Sequence, residues 1–332
     1  MQIDFVGPQS FELMYQPSLD ALAAGGHKGR WFKTPAEYWA AADPANLDVL
    51  VAIGALKVGA DFLDQAPNLR ALISPVTGTE GFDEAAASAR NVLVANGQIL
   101  ENYVSMAEAT VMLILAALYD LNGTQRLLAE NGPRPPRPRA RMLMRKTVGL
   151  IGFGQIARAV AARLESWDCR ILTTMRTARA LPDRVKGVPL GTLLTESDVV
   201  VVLAALNDDT RAMLGERKLS AMKPDVVFVN VARGGIADEH ALARLARERP
   251  EMRIAVDVFS PDPLPLDSPL RSLPNAILTP HMVGHTRETL DRLPVVLLAN
   301  IEHVLAGEVP DYVRNPKVID AWRARWSGRE AV

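Results

Sequence analysis

Short apolar runs alternate with helical patterns along the first hundred residues of the chain. Strand-like runs occupy residues 2–6, 47–53, 70–74 and 91–95. Apolar positions with helical spacing lie at residues 10–24, 35–42 and 59–65. Such alternation is typical of parallel strands covered by helices, so the sequence predicts an α/β fold.

A second α/β series begins at residue 147, after a long helical pattern that starts near Asn102. It predicts six strands, at residues 148–151, 170–174, 199–203, 226–231, 254–258 and 276–278. Six strands are enough for a doubly wound sheet. A last helical pattern, residues 288–305, is expected to return to the first domain. We therefore expect one domain, residues 101–286, to be inserted into another, residues 1–100 and 287–332.

Composition narrows the class of protein. Of 332 residues, 48% are hydrophobic and 23% charged, with a net charge of −1, which gives no field for attracting nucleic acid or an anionic membrane. The single cysteine, Cys169, excludes an internal disulfide and is too solitary for a metal site, so we expect no metal. The N-terminus lacks the features of a signal peptide, and a cytoplasmic protein is expected. The basic, proline-rich segment 131–141 is expected to be an irregular surface loop.

One apolar stretch, residues 104–121, is barely long enough to span a bilayer. It contains Glu108 and is rich in alanine. We expect a buried helix, which could also pack against a partner subunit, rather than a membrane span.

The segment 147–164, TVGLIGFGQIARAVAARL, carries the clearest chemical signal. An apolar run enters a glycine turn and leaves as a helix. Gly152 permits the tight turn, Gly154 lets the backbone approach a pyrophosphate, and Ala157 lets the helix pack on the strand. The helix N-terminus adds N–H groups and the positive end of a dipole. This layout predicts a dinucleotide site; the alternative is a β–α turn that binds nothing.

Further motifs accompany the glycine turn in a fixed order. They are NYVSMAE at 102–108, VNVARGGIADE at 229–239, VDVFSPDPLP at 256–265 and NAILTPHMVG at 275–284. Together these segments resemble the D-isomer-specific 2-hydroxyacid dehydrogenase family. The resemblance implies a Rossmann cofactor domain inserted into a flavodoxin-like substrate domain.

The resemblance implies a catalytic set of Arg233, Asp262 and His281. A guanidinium can hold the carboxylate of a 2-oxo acid and polarise its carbonyl. An imidazole can donate a proton to the developing alkoxide, and a neighbouring carboxylate orients the ring. The family commonly has glutamate where Asp262 stands, so the acid here is one methylene shorter; the alternative for Asp262 is a turn-capping role.

Other roles also follow from the resemblance. Cofactor contacts are expected from Gly152, Phe153, Gly154, Gln155, Ile156, Leu206, Asn207, Thr210, Val231, Ala232, Arg233, Asp257 and Ser105. Substrate contacts are expected from the loop Val76, Thr77 and Gly78, together with Arg233 and His281. His285 is close enough in sequence to His281 to line the same pocket.

The second strand of the later series indicates which nicotinamide cofactor is used. An NAD site usually has an acidic residue about 20 positions after the turn, binding the ribose 2′-hydroxyl. Here Met175 stands there, followed by Arg176, Thr177 and Arg179. Because a guanidinium and a hydroxyl can receive a 2′-phosphate, we expect NADP to be preferred. The alternative is that Arg176 only stacks on adenine and that NAD also serves.

The resulting expectation is an NADP-preferring reductase of a small 2-oxo acid, of glyoxylate or hydroxypyruvate type. Two alternatives remain: a scaffold that senses nicotinamide redox state, and a relative that oxidises phosphite. The family implies a homodimer. Many relatives carry a tryptophan in the loop before the glycine turn, but residues 126–146 contain none, so inferences about that loop do not transfer.

Overall fold

The computed structural model describes residues 1–177 and 179–328. They form two compact units: unit 1 comprises Met1–Asn102 and the segment that begins at Thr286, and unit 2 is Tyr103–His285. The last four residues of the predicted segment 287–332 lie outside the described residues.

Unit 1 contains a parallel sheet flanked by helices. In its described residues the strands are β1 Gln2–Val6, β2 Lys28–Phe32, β3 Val49–Ala52, β4 Ala71–Ile73 and β5 Leu93–Ala95. Their spatial order, β2-β1-β3-β4-β5, is the flavodoxin-like doubly wound order. The helices between them are α1 Glu12–Ala24, α2 Pro35–Ala41, α3 Ala60–Asp64 and α4 Glu84–Ala89.

Unit 2 contains a second parallel sheet. Its strands are β6 Thr147–Ile151, β7 Arg170–Thr174, β8 Val185–Gly187, β9 Val199–Val202, β10 Val227–Asn230, β11 Arg253–Val256 and β12 Ala276–Leu278. The observed order within the described residues is β12-β11-β10-β9-β6-β7-β8. This is the dinucleotide-binding strand order with one strand added at an edge. The helices are α5 Leu100–Leu118, α6 Leu121–Ala129, α7 Gln155–Leu164, α8 Leu190–Glu196, α9 Glu216–Ser220 and α10 Glu239–Glu248.

Burial explains which strands the sequence revealed. All four valines of β9 are fully buried, and apolar side chains cover both faces of the unit 2 sheet. A strand buried on both faces has a continuous apolar run. The two strands missed from the sequence, β2 and β8, lie at sheet edges and carry exposed residues. Their sequences, KGRWF and VKG, lack such a run.

The C-terminal segment completes unit 1. It forms α11 Arg287–Leu305 and α12 Ile319–Trp326. Trp322 is fully buried, and its Nε1 donates to the carbonyl of Arg70 at 2.9 Å. Asn315 Oδ1 accepts from the N–H of Val94 at 2.9 Å. The last part of the chain is therefore built into the sheet core formed by the first part.

Helix α5 is the one helix among the described residues that is long and apolar enough to cross a membrane by length and composition. Its buried residues Leu113, Ile114 and Leu118 pack in the same cluster as Val148 and Leu150 of β6. This packing is that of a core helix, as expected from the sequence. The segment 131–141 forms no helix or strand, and Arg141 pairs with Asp225 at 2.8 Å.

Candidate active site

The carboxyl ends of the unit 2 strands lie in register. Ile151 of β6 is paired with Thr174 of β7 and Val202 of β9. Asn230 of β10 pairs with Val202 and with Val256 of β11. The residues that follow these strand ends, including nearly all the unit 2 residues singled out from the sequence, therefore lie along one edge of the sheet. Ligands of open α/β sheets bind at that edge.

The glycine turn after β6 has the geometry that a pyrophosphate requires. Gly152 has φ +95°, and a Cβ there would lie 2.9 Å from the backbone of Ala204. At Gly154 a Cβ would meet no described atom within 4 Å, so open space lies beside the N-terminus of α7. No side chain caps this helix, so its first N–H groups can receive an anion. Ala157 is buried against the sheet. The turn therefore fits a dinucleotide.

Not every predicted contact of the turn uses a side chain. The Phe153 ring is buried, so a cofactor contact there would come from backbone. Gln155 and Ile156 lie in the first turn of α7, where N–H groups have no acceptor within the helix.

Arg176, predicted to lie at the adenosine end, pairs with a residue that the sequence reasoning missed. Its Nη1 lies 2.8 Å from Asp209 Oδ2, and both side chains are largely exposed. Thr177 and Arg179 are also exposed. The structure thus places three polar side chains after β7, with Met175 where an acid is usual.

The loop after β9 is held by its own polar side chains. Asn207 Oδ1 accepts from the N–H groups of Asp209 and Thr210 at 3.0 and 3.2 Å. Thr210 Oγ1 donates to the carbonyl of Ala205 at 2.7 Å. Leu206 packs against the core cluster of unit 2. Asn207 and Thr210, expected as cofactor contacts, here determine the loop's shape.

Arg233 lies in a short loop whose backbone is bonded twice by the side chain of Asn230. Asn230 Nδ2 donates to the carbonyl of Arg233 at 3.1 Å, and its Oδ1 accepts from the N–H of Ala232 at 3.2 Å. Arg233 Nη1 donates to the carbonyl of Ala232 at 2.7 Å. Val231 is buried and Ala232 is half-buried beneath this edge. The buried amide of Asn230 thus fixes the backbone that presents the guanidinium.

Gly234 brings this loop against the loop that follows β11. A Cβ at Gly234 would overlap the backbone of Phe259, including its Cα at 2.5 Å. Because the obstruction is backbone, it cannot be relieved by a side-chain rotation. Glycine is therefore required for the loop of Arg233 to lie against the loop that leads to Asp262.

His281 and Asp262 form a close pair. The imidazole Nδ1 lies 2.5 Å from Asp262 Oδ2, with the two side chains 45% and 34% exposed. The carboxylate therefore favours the proton on Nδ1 and leaves Nε2 as the nitrogen that exchanges protons with a ligand. His281 has φ +57°, an uncommon conformation for a residue with a Cβ, and its N–H donates to the carbonyl of Thr279. The shorter aspartate thus reaches the imidazole.

Asp257 holds the turn that carries His281. Its buried Oδ1 accepts from Thr279 Oγ1 at 2.7 Å and from the N–H groups of Met282 and Val283 at 3.0 and 3.2 Å. The sequence suggested a cofactor contact for Asp257. The structure gives one of its oxygens a positioning role.

The same turn lies against α5. Ser105 Oγ donates to the carbonyl of Gly284 at 2.7 Å, and a Cβ at Gly284 would overlap Met106. The following His285 has its pKa lowered, because partial burial and the nearby His281 both disfavour its charged form. The hydrogen bond from Ser105 therefore joins α5 to the turn that carries His281.

Glu239 is a second residue that sequence reasoning missed. It begins α10, and its Oε1 accepts from the N–H of Ser260 at 2.6 Å, two residues before Asp262. Burial raises its pKa, and the charge of Asp262 acts in the same direction. The sequence signal was its place at the end of the RGGIADE motif, but no pattern indicated its contact with the loop of Asp262.

The predicted substrate loop lies in unit 1 and is held within it. Ser74 Oγ donates to the carbonyl of Gly78 at 2.6 Å, and Asn96 Nδ2 donates to the carbonyl of Thr77 at 2.7 Å. The N–H of Val76 contacts Ser74 Oγ at 3.4 Å. All three predicted residues are half-buried.

Comparison with known proteins shows to which family the chain belongs. Residues 111–283 match the family model of the D-isomer specific 2-hydroxyacid dehydrogenase NAD binding domain. Glyoxylate reductase of Thermofilum pendens is 31% identical over 283 residues, covering 82% of each chain. The chain belongs to the D-isomer-specific 2-hydroxyacid dehydrogenase family.

Solved structures agree with the two-domain α/β architecture of the family. An NAD-dependent formate dehydrogenase from Staphylococcus aureus, in complex with NAD, is 27% identical, with a TM-score of 0.78 over 91% of this chain and 95% of that one. An NADPH-dependent glyoxylate/hydroxypyruvate reductase from Sinorhizobium meliloti, 24% identical, gives a TM-score of 0.78 over 95% and 98% of the two chains and shows the shared fold. The predicted family and fold class are confirmed. As a member of this family, the protein is an oxidoreductase of small 2-oxo and 2-hydroxy acids that uses a nicotinamide cofactor.

Proposed function

We propose that this 2-hydroxyacid dehydrogenase reduces a small 2-oxo acid, of glyoxylate or hydroxypyruvate type, and prefers NADPH. The observation that carries the proposal is the pair formed by His281 and Asp262, on loops that follow neighbouring strands beside the loop of Arg233. The similarity to a glyoxylate reductase supports the substrate class.

The three side chains have distinct roles in this proposal. The guanidinium of Arg233 binds the substrate carboxylate and polarises the adjacent carbonyl. His281 Nε2 gives its proton to the carbonyl oxygen as the alcohol forms. Asp262 accepts from Nδ1–H and so fixes the orientation of the ring that presents Nε2 to the substrate. A bound reduced nicotinamide supplies the hydride.

The remaining assignments are part of the same proposal. The N-terminus of α7 would bind the pyrophosphate, and Arg176, Thr177 and Arg179 the 2′-phosphate. Val231, Ala232, Leu206 and Ser105 would border the cofactor, and the loop Val76, Thr77 and Gly78 would bind the substrate carboxylate. Residues 101–286 would serve as the cofactor domain and the remainder as the substrate domain.

We further propose a cytoplasmic homodimer. Apolar side chains on α5 and α6 support this proposal, since Met112, Leu121 and Leu128 are exposed. A subunit interface would cover them.

Steady-state kinetics with glyoxylate and hydroxypyruvate, each with NADPH and NADH, tests the proposal. Arg233→Ala should lose at least about 100-fold in kcat/KM while still binding the cofactor, and His281→Asn should lose kcat. His27→Asn, which removes a histidine of unit 1, is the matched control and should remain active. Cofactor binding without turnover of any 2-oxo acid would favour the redox-sensing scaffold. An equal or higher kcat/KM with NADH would contradict the NADPH preference.

A further inference from the structure

An exposed ion pair lies at the carboxyl ends of the unit 2 strands, where the adenosine part of the cofactor is proposed to bind. It joins Arg176, after β7, to Asp209, in the loop after β9, with 2.8 Å between Nη1 and Oδ2. In the sheet, β6 lies between these two strands. The pair therefore spans the carboxyl end of β6, where the glycine turn begins.

Asp209 is held in place by its loop rather than by Arg176. Its N–H donates to Asn207 Oδ1 at 3.0 Å. The next residue, Thr210, bonds to the carbonyl of Ala205 and accepts from the N–H of Asn207 at 2.8 Å. None of these bonds involves Arg176, so the backbone at Asp209 does not depend on the ion pair.

The pair is weak enough to be exchanged. Its side chains are 74% and 67% exposed, and exposed ion pairs contribute little because water screens them and both side chains lose freedom. A 2′-phosphate, with a charge of about −2, competes well for a guanidinium. Once the 2′-phosphate is bound to Arg176, the carboxylate of Asp209 would lie near a second anion.

We propose that Asp209 is a specificity-determining residue that limits the preference for NADPH over NADH. It competes with the 2′-phosphate for Arg176 and repels that phosphate once bound. Toward NADH, the same carboxylate can accept a hydrogen bond from the ribose 2′-hydroxyl. Asp209 thus supplies, from the loop after β9, the acid that is missing at Met175. This inference rests on the proposed role of Arg176 in cofactor binding.

Asp209→Asn tests the proposal, with Asp208→Asn as the matched control. The control removes the same charge from the neighbouring position, and Asp208 forms no ion pair with Arg176 in the described part of the chain. The readouts are the dissociation constants of NADP⁺ and NAD⁺, measured by calorimetry on the full chain, and the KM values of the reduced cofactors.

Asp209→Asn should tighten NADP⁺ binding by about fivefold, and the gain should shrink in 1 M salt, where the screening length falls to about 3 Å. Binding of NAD⁺ should weaken by about twofold, because the amide oxygen of asparagine still accepts from the ribose 2′-hydroxyl but less strongly than a carboxylate. Asp208→Asn should leave the ratio of the two constants within about twofold of the parent value. An unchanged ratio in Asp209→Asn, or an equal change in Asp208→Asn, would overturn the inference.

The two proposals can fail separately. If the parent protein shows no NADPH preference but Asp209→Asn creates one, the inference stands and the proposed preference fails. If the parent prefers NADPH and Asp209→Asn leaves the ratio unchanged, the preference stands and the inference fails.

Discussion

Replacing Gly234 by alanine is the sharpest test of how the catalytic loops are held. The new Cβ would overlap backbone atoms of Phe259, whereas at the neighbouring Gly235 the nearest atom would be Leu206 Cδ2, at an ordinary 3.5 Å. Neither glycine has a positive φ, so the two substitutions differ mainly in space. Gly235→Ala is therefore a matched control for composition and backbone entropy.

The overlap between the new Cβ and the Phe259 backbone sets the expected loss of stability and activity. Overpacking a well-filled site costs about 1–3 kcal/mol, and we expect the upper end because the backbone must move. For a domain of this size, about 3 kcal/mol corresponds to a fall in Tm of about 9 °C. The movement separates the loop of Arg233 from that of Asp262, and a displacement of about 1 Å can reduce catalysis about 100-fold.

Thermal unfolding and steady-state kinetics on both variants check the prediction. Gly234→Ala should lose stability and kcat/KM together, while Gly235→Ala should stay within about 2 °C of the parent. A Gly234→Ala variant that is destabilised yet retains full kcat/KM would refute the proposed link between loop contact and catalysis. One that matches Gly235→Ala in both measurements would refute the steric argument itself.

Two further predictions concern the acids behind the site. Asp257→Ala should reduce kcat about 100-fold by releasing the turn of His281. Asp257→Asn keeps an acceptor oxygen and should reduce kcat by about tenfold or less. Steady-state kinetics on both variants checks this, and a larger loss of kcat in Asp257→Asn than in Asp257→Ala would contradict it. Glu239 has a raised pKa in the folded protein, so its ionisation destabilises the fold as pH rises above its ordinary value. Glu239→Gln keeps an acceptor for Ser260 and should gain in Tm relative to the parent between about pH 4 and pH 7; a difference in Tm that does not change over this range would contradict the argument.

The sequence was informative wherever a strand is buried on both faces. All six strands expected after residue 147 are present, because each has an apolar run such as the four valines of β9. The two strands that were missed gave no such signal: β8, for example, is three residues long, with Lys186 and Gly187 exposed. The edge strands β5 and β12 were found because each keeps a short apolar run. Apolar patterning reports burial, so a short strand with exposed polar positions carries too weak a signal to be recognised.

The candidate site was predictable where chemistry requires a particular residue type. His281 and Asp262 were paired from motif resemblance, and the structure brings them together. Contacts between residues that are distant in sequence and belong to no common motif were not predictable. Glu239 and Asp209 are acids on exposed or half-buried positions, and only the approach of Ser260 and Arg176 gives them a role.

The return of the chain to unit 1 has a consequence for its biosynthesis. Arg70 and Trp322 are 252 residues apart in sequence, and Val94 and Asn315 are 221 apart. At about 5–20 residues per second, the ribosome needs on the order of 10–50 s to deliver these distant partners. During that interval the nascent N-terminal strands lack part of their hydrophobic covering, while unit 2, continuous in sequence, can already fold. A premature stop after residue 285 should therefore leave a folded dinucleotide-binding unit attached to an unfinished, chaperone-dependent segment.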